Sequence, residues 1–473
     1  MHYIQGKDRQ QTALFPVAMA DLVPENHPCR VIEAFVDMLD LSGLGFGNAR
    51  LASSGRPPYH PGVLLKLYLY GYLNQVRSSR ALERECHRNV EVMWLLGQLA
   101  PDHKTIANFR KDNLKALKGA CGQLVRFLRE AGLVRGEWVA VDGSKFQAVA
   151  SRKSVISPAS LERQIARAEQ RMAHYLAQLD QADKSEDVIE LDRAKVQAAV
   201  ELLRQRRQQA QAKLEELSRE KRSHRIESEP EACLMRGKGP GYNLQIAVDG
   251  DSALIVAHAL TNEASDSQQL QPMAEAAAAA VDNPTLDVLA DAGYSNGAQA
   301  AALEAQGILA HVPAQRSTNS SGDGTLFDRS AFSYDPNSDT FTCPQGKVMR
   351  RHGVHRKDLL IYYQARMQDC QTCPVKGQCT AAKQRTVSRH QHDAALKRMD
   401  ERATPEAMRR RRCTVEHPFA GLKYRILGHP RLLMRGIRGA AAEMALATTV
   451  WNLKRAMSLL GTGRLHRQLA CPS

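Results

Sequence analysis

Between residues 161 and 222 the apolar side chains recur alternately every four and three positions: Leu161, Ile165, Ala168, Met172, Tyr175, Leu179 and Ala182. After the polar turn Gln181-Ala-Asp-Lys-Ser-Glu-Asp187 the spacing resumes with Val196, Val200, Leu203, Arg207, Ala210, Leu214 and Leu217. Such a seam belongs to two paired helices, so residues 159–223 are expected to form an antiparallel coiled-coil hairpin. Its first arm spans roughly 22 residues, about 33 Å at the standard rise. Its charges mix both signs and read as solvated surface rather than a binding site.

The hairpin interrupts a sheet. Before it, Glu137-Trp-Val-Ala-Val-Asp142 has a short buried-strand pattern ending at Gly143; after it, Tyr242-Asn-Leu-Gln-Ile-Ala-Val-Asp249 and Ser252-Ala-Leu-Ile-Val-Ala-His-Ala-Leu260 flank the turn Gly250-Asp251. A helix from Asp266 to Val281, a strand over 286–291, a helix from Gly297 to Gln306 and a strand from Ile308 to Val312 follow. Antiparallel strands followed by alternating helices and strands point to an α/β domain with a mixed sheet. In front, the apolar spacing from about Pro57 to Asn113 is helical, and Pro101-Asp102 reads as a boundary and cap before a helix opening at His103. Residues 1–135 are therefore expected to be an all-helical domain. Helices joined in this way can form a helix-turn-helix on DNA or merely pack, and no base-reading residue chooses between these. Beyond Thr404 the chain is helical again.

Lys and Arg total 65 against 50 Asp and Glu, a net charge of +15, which favours a polyanionic partner. No apolar run approaches the roughly 18–20 residues of a membrane span, and the opening MHYIQGKDRQQ has no secretory core, so a cytoplasmic protein without a membrane partner is expected. The 10 Cys are mostly isolated, as in a reducing compartment.

Asp142 and Asp291 each close a strand, where open α/β sheets gather their ligand sites, although strand-ending Asp also serves as a plain turn cap. A third acid, Glu416, stands alone among nine Lys or Arg between Arg409 and Arg438. Helical spacing puts Arg412, Glu416 and Lys423 on one face beside the apolar stripe Val415, Phe419, Leu422 and Ile426, with Pro418 expected to kink the axis. An Arg412–Glu416 ion pair is the structural alternative. Three carboxylates beside a basic groove suit two divalent ions that activate a nucleophile and stabilise the leaving oxygen of a phosphodiester, and Mg²⁺ prefers such oxygen ligands.

Val141-Asp142-Gly143-Ser144-Lys145, Ala290-Asp291-Ala-Gly-Tyr294 and Arg412 with Glu416 and Lys423 resemble the signature of DDE-type transposases of bacterial insertion sequences. The resemblance extends over nearly the whole chain, through His60-Pro61, Pro101-Asp102 to Phe109-Arg110, Tyr242 to Asp249, Glu416-His-Pro-Phe419 and Arg435-Gly436. A Tyr often stands three residues before the Arg in that family; here the position is Arg409. The resemblance implies a ribonuclease-H-like catalytic domain over 136–460, interrupted by the hairpin and by a Cys-rich subdomain at 335–385, with 461–473 a tail. It implies Asp142, Asp291 and Glu416 as catalytic ligands of Mg²⁺ or Mn²⁺, and Arg409, Arg412, Lys423, Arg425 and Arg435 as phosphate contacts. The activity implied is cleavage of double-stranded DNA at transposon ends, then attack of the freed 3′ hydroxyl on a target, in a dimer or larger synaptic complex. A nuclease of the same fold that cuts without joining, and a basic DNA-binding regulator or decayed transposase, are the alternatives.

Cys343, Cys370, Cys373 and Cys379 include one Cys-x2-Cys pair, a spacing that lets two thiolates reach one ion, so a structural Zn²⁺ is expected, with unligated thiols as the first alternative and an iron-sulfur centre as the second. Asp249 and Asp251 read as turn residues, Asp266 as a helix cap, Asp287 as pointing away from the site, and His417 as packed or phosphate-facing.

Overall fold

The computed structural model describes residues 18–50, 57–184, 193–220, 223–235, 237–314, 326–357 and 359–471; the opening segment 1–11, the loop expected at 317–324 and positions 185–187 of the hairpin turn lie outside these. The front of the chain is helical: α1 (Pro28–Met38), α2 (Pro61–Leu73), α3 (Ser79–Arg88), α4 (Val90–Leu95), α5 (His103–Asp112) and α6 (Leu114–Glu130). Their starts are written locally. Pro28 and Pro61 occupy first-turn positions that need no N–H, and Asp102 caps α5 by accepting from the Lys104 and Thr105 amides.

β1 (Trp138–Gln147) opens a six-stranded sheet. The chain then passes through the two-residue strand β2 (Val155–Ile156), α7 (Pro158–Lys184), α8 (Arg193–Arg219) and β3 (Arg225–Ile226), which pairs with β2. Leu161 shares an apolar cluster with Ala210 and Leu217, and Met172 with Val200 and Leu203, so α7 and α8 run antiparallel along the seam. The sheet resumes with β4 (Cys233–Met235), β5 (Gly239–Asp249) and β6 (Ile255–Thr261), continues through α9 (Leu270–Val281) to β7 (Asp287–Leu289), and ends through α10 (Gly297–Ala305) at β8 (Leu309–His311). Both β1 and β6 pair antiparallel with β5, whereas β7 is parallel to β1 and β8 to β7. The order is thus β6-β5-β1-β7-β8, with β4 alongside the start of β5.

A second, five-stranded antiparallel meander comprises β9 (Ser333–Asp335), β10 (Thr340–Thr342), β11 (Val348–His355), β12 (Leu360–Gln364) and β13 (Thr386–His390), with α11 (Met367–Gln371) and α12 (Lys376–Cys379) between the last two. It has its own core around Phe341, Met349 and Tyr363. α13 (Asp393–Arg402), α14 (Pro405–Ala420), α15 (Gly436–Leu460) and α16 (Thr462–Ala470) complete the chain. Residues 462–470, read from sequence as a tail, are a helix that buries Leu465 and Leu469 and packs on α1.

The front helices and the first sheet share one continuous core, because α15 lies between them. On the sheet side, Asn452 accepts from the Ile255 amide and donates to its carbonyl, at 2.9 and 2.8 Å. On the helical side, the fully buried Glu443 takes an ion pair from Arg77 at 2.9 Å and hydrogen bonds from the Leu433 and Met434 amides, so its charge is compensated on all sides.

Candidate active site

Asp142 lies within β1 rather than at its end, since the strand runs on to Gln147. The two-residue period turns Asp142 to one face of the sheet and Gly143 and Lys145 to the other. Asp291 follows β7 and opens a short 3₁₀ turn, accepting from the Gly293 amide at 2.8 Å. Because β7 is the parallel neighbour of β1, the two carboxylates emerge side by side, although 148 residues lie between them.

The residue that joins them is Arg411. Its Nη2 lies 2.7 Å from Asp142 Oδ1 and 3.3 Å from Asp291 Oδ2, so both carboxylates converge on one nitrogen. Arg411 sits on α14, whose Thr414, Val415, Pro418 and Phe419 are buried where the helix packs on β1, β5 and β7. Its Nε is buried without a hydrogen-bond partner. Burial pushes the Asp142 carboxyl up to about 6, against the opposing pull of Arg411 and the Gly143 amide.

Glu416 is on that same helix but not in the same cluster. It is exposed, it makes no hydrogen bond or ion pair among the described residues, and the expected alternative pairing with Arg412 is absent. The ligand atoms of Asp142, Asp291 and Glu416 do not all come within 4.8 Å of one another. Five residues after Arg411, Glu416 stands roughly 7.5 Å along the axis and about 140° around it. Of Arg412, Glu416 and Lys423, expected to share a face, the first two are exposed and Lys423 is half-buried. α14 passes through Pro418 without ending and continues into a π-helical turn, Gly421–Ile426, which changes the period before Lys423. Gly421 permits this close packing, since a Cβ there would run into the Trp451 ring. Lys423 is half-buried over the Phe146 and Phe419 rings, 5.7 Å from each centroid, within electrostatic reach of Asp142. Arg409, Arg412, Arg425 and Arg435 are exposed. His417 packs edge-on against Trp451.

Behind β1 lies a polar network that sequence reasoning missed. Asp266, expected to cap a helix, instead accepts from Asn243 and Gln245 at 2.7 Å each and pairs with Lys145 at 3.1 Å. Asn243 and Gln245 are fully buried and stand opposite Lys145 and Gly143 on the neighbouring strand. A Cβ on Gly143 would collide with Gln245 and Asp266, which explains the glycine after Asp142. The Tyr294 hydroxyl donates to Gln245 and so ties the turn that carries Asp291 to the sheet that carries Asp142. Burial holds that phenol well above its ordinary range, so it remains a donor. The alternation of Asn243, Gln245 and Asp249 with apolar residues along β5 was the available signal: polar residues in a buried strand require partners.

In the meander, Cys343, Cys370, Cys373 and Cys379 line one cavity of about 30 Å³. The Lys347 amide donates to Cys343 Sγ at 3.3 Å, and burial beside the other three raises the Cys379 thiol. No three of their sulfurs lie within 4.8 Å of one another, whereas among the described residues the ligand atoms of His27, Cys29 and Glu91 do. That second group is tied up in packing. His27 caps α1 through the Cys29 amide, and burial with Glu91 and Glu33 nearby pushes the Cys29 thiol up to about 12.

Residues 17–112 match a family model described as Transposase domain (DUF772), and residues 342–457 match one described as Transposase DDE domain. The second match contains Glu416 and Lys423 but neither aspartate. No curated protein and no solved structure matches the chain.

Proposed function

Since the chain belongs to the DDE-type transposases of insertion sequences, we propose that it cuts phosphodiester bonds at the ends of its element and transfers the freed 3′ ends to target DNA, with Asp142, Asp291 and Glu416 as the catalytic carboxylates. The observation that carries this reading is the convergence of Asp142 and Asp291 on one cation delivered by α14, the helix that also bears Glu416. The strand order β6-β5-β1-β7-β8, with its change from antiparallel to parallel at β1, supports a ribonuclease-H-like sheet.

Two carboxylates already gathered around a positive group are a fitting donor set for Mg²⁺ or Mn²⁺, with Glu416 completing it. When bound, such ions would activate the attacking oxygen and stabilise the leaving one. The chain's own part is to bind and orient. Arg411 neutralises the aspartate pair in the metal-free protein, and on release it is close enough to contact a phosphate instead. Lys423 holds the backbone beside Asp142, while Arg409, Arg412, Arg425 and Arg435 supply further phosphate contacts. Glu416 has no partner to hold it outward among the described residues, so turning inward sacrifices no hydrogen bond. Two ends must be processed together, which calls for at least a dimer. The four cysteines line one shared cavity, but their sulfurs stand farther apart than a single Zn²⁺ would hold them, so a structural Zn²⁺ would have to draw the α11–α12 segment in against the meander.

The test is a labelled transposon end incubated with Mg²⁺ or Mn²⁺, comparing wild type with Asp142→Ala, Asp291→Ala and Glu416→Ala. Each variant is expected to bind DNA yet neither nick nor join it. Full cleavage by any one removes that residue from the site; cutting without joining indicates a nuclease, and binding alone a regulator.

A further inference from the structure

The base of the α7–α8 hairpin is not the evenly mixed surface that its composition suggests. Folding sorts its charges. Glu169, Glu201 and Glu216 pair with Arg207, Arg204 and Arg225, at 3.6, 3.6 and 2.8 Å. What remains is a groove of about 530 Å³ between the two helices and the β2–β3 ribbon, lined by Arg152, Lys153, Arg167, Arg171, Arg206 and Lys213. Among the described residues one acid lines it, Glu227, which pairs with Lys213 at 2.5 Å. The other five cations are exposed and make no ion pair among the described residues. Arg167 and Arg171 lie one turn apart on α7, with Arg206 across the groove on α8, and the buried Leu161, Ala168, Leu203 and Ala210 line it as well.

The groove is also connected to the candidate active site. Lys423 lies within electrostatic reach of both Asp142 and Lys238. Lys238 adjoins Gly237, whose carbonyl accepts from Arg152 at 3.4 Å, and Arg152 lines the groove. A line of cations therefore leads from the aspartate pair to the hairpin. Along the chain, Asp142 and Arg152 are ten residues apart, so the near edge of the groove lies at most about 35 Å from Asp142, the length of one turn of duplex DNA.

We infer that the hairpin base is a second DNA-backbone site, gripping phosphates of the same duplex whose scissile bond lies at Asp142. This rests on the functional reading above only in naming DNA; the site works by charge alone and needs no metal.

The experiment uses the full chain in EDTA with a fluorescent 40-base-pair duplex, measuring affinity by anisotropy at several salt concentrations. Arg167→Glu/Arg171→Glu/Arg206→Glu is expected to weaken binding at least about tenfold near 0.1 M salt and to reduce the log–log salt slope by about 2 to 3. The triple Gln variant, which avoids introducing repulsion, should produce the same slope change with a smaller loss. Arg204→Glu, on a paired position outside the groove, should leave the slope unchanged. Wild-type affinity and slope in both triple variants would overturn the inference, as would an equal loss in Arg204→Glu. Cleavage measured separately with Mg²⁺ distinguishes the two readings: an intact groove effect without cleavage sinks only the catalytic proposal, and cleavage without a groove effect sinks only this one.

Discussion

The aspartate pair and the hairpin groove handle charge in opposite ways. At the sheet, two acids are half-buried, brought together by a parallel strand pair and balanced by one guanidinium. At the hairpin base, five cations are exposed and make no ion pair among the described residues around one groove, three of them on the thin two-helix arm. A small apolar seam can hold two helices but cannot desolvate their surface, so charges there act at long range and are screened by salt. The sheet is covered by helices, which makes each charge expensive unless paired and fixes its position closely. The first arrangement suits chemistry at one bond; the second suits holding a long polyanion.

The largest effect expected from breaking this contrast is in Asp142→Ala or Asp291→Ala. Losing one of the two proposed metal-holding carboxylates should lower the cleavage rate by about 10³-fold or more, while DNA affinity in EDTA stays within about threefold of wild type. A variant that lost affinity but kept rate would reverse the roles assigned to the two regions. Next is Arg411→Gln. Calorimetric titration with Mn²⁺ should show tighter binding by about tenfold, because the competing internal cation is gone, and the metal-free protein should lose about 1–3 kcal/mol of stability. Unchanged Mn²⁺ affinity would mean that Arg411 does not occupy the metal position.

Tyr294→Phe sharpens the comparison on the sheet side alone. Removing the hydroxyl that ties the Asp291 turn to Gln245 should cost about 1 kcal/mol in thermal unfolding and slow cleavage without changing the salt slope of DNA binding. Smallest is a pH effect from His258 on β6, whose imidazole burial and nearby Lys118 lower to about 4. Its folded value lies below its unfolded value, so the unfolded chain binds more protons between these values. Stability should therefore rise with pH from about 4 to 6.5 and be lost as pH falls through that window. His258→Gln should flatten that limb of a melting-temperature profile; an unchanged slope would assign it to other groups.

Much of this was readable before folding. The 4–3 spacing located α7 and α8, strand patterns located β1, β5, β6, β7 and β8, and single residues such as Asp102 and Pro61 marked helix starts. The Asp142 and Asp291 positions were legible because each acid ends an apolar run on or next to a strand. Arg411 was not, because it is one of four consecutive arginines and only the packed face of α14 selects it. Asp266 was misread for a related reason: a helix-cap position is a local pattern, whereas its partners Lys145, Asn243 and Gln245 come from two other strands.

The sequence alone determined the elements, their order and the excess of positive charge, since these follow from short-range periodicity and composition. Only the tertiary structure decided that Arg411 would sit between the aspartates, that a π turn after Pro418 would carry Lys423, and that among the described residues Glu227 would be the one acid lining the hairpin's groove. Each of those outcomes depends on distances between residues remote in the chain, and burial and Coulomb energies are functions of distance, not of sequence order.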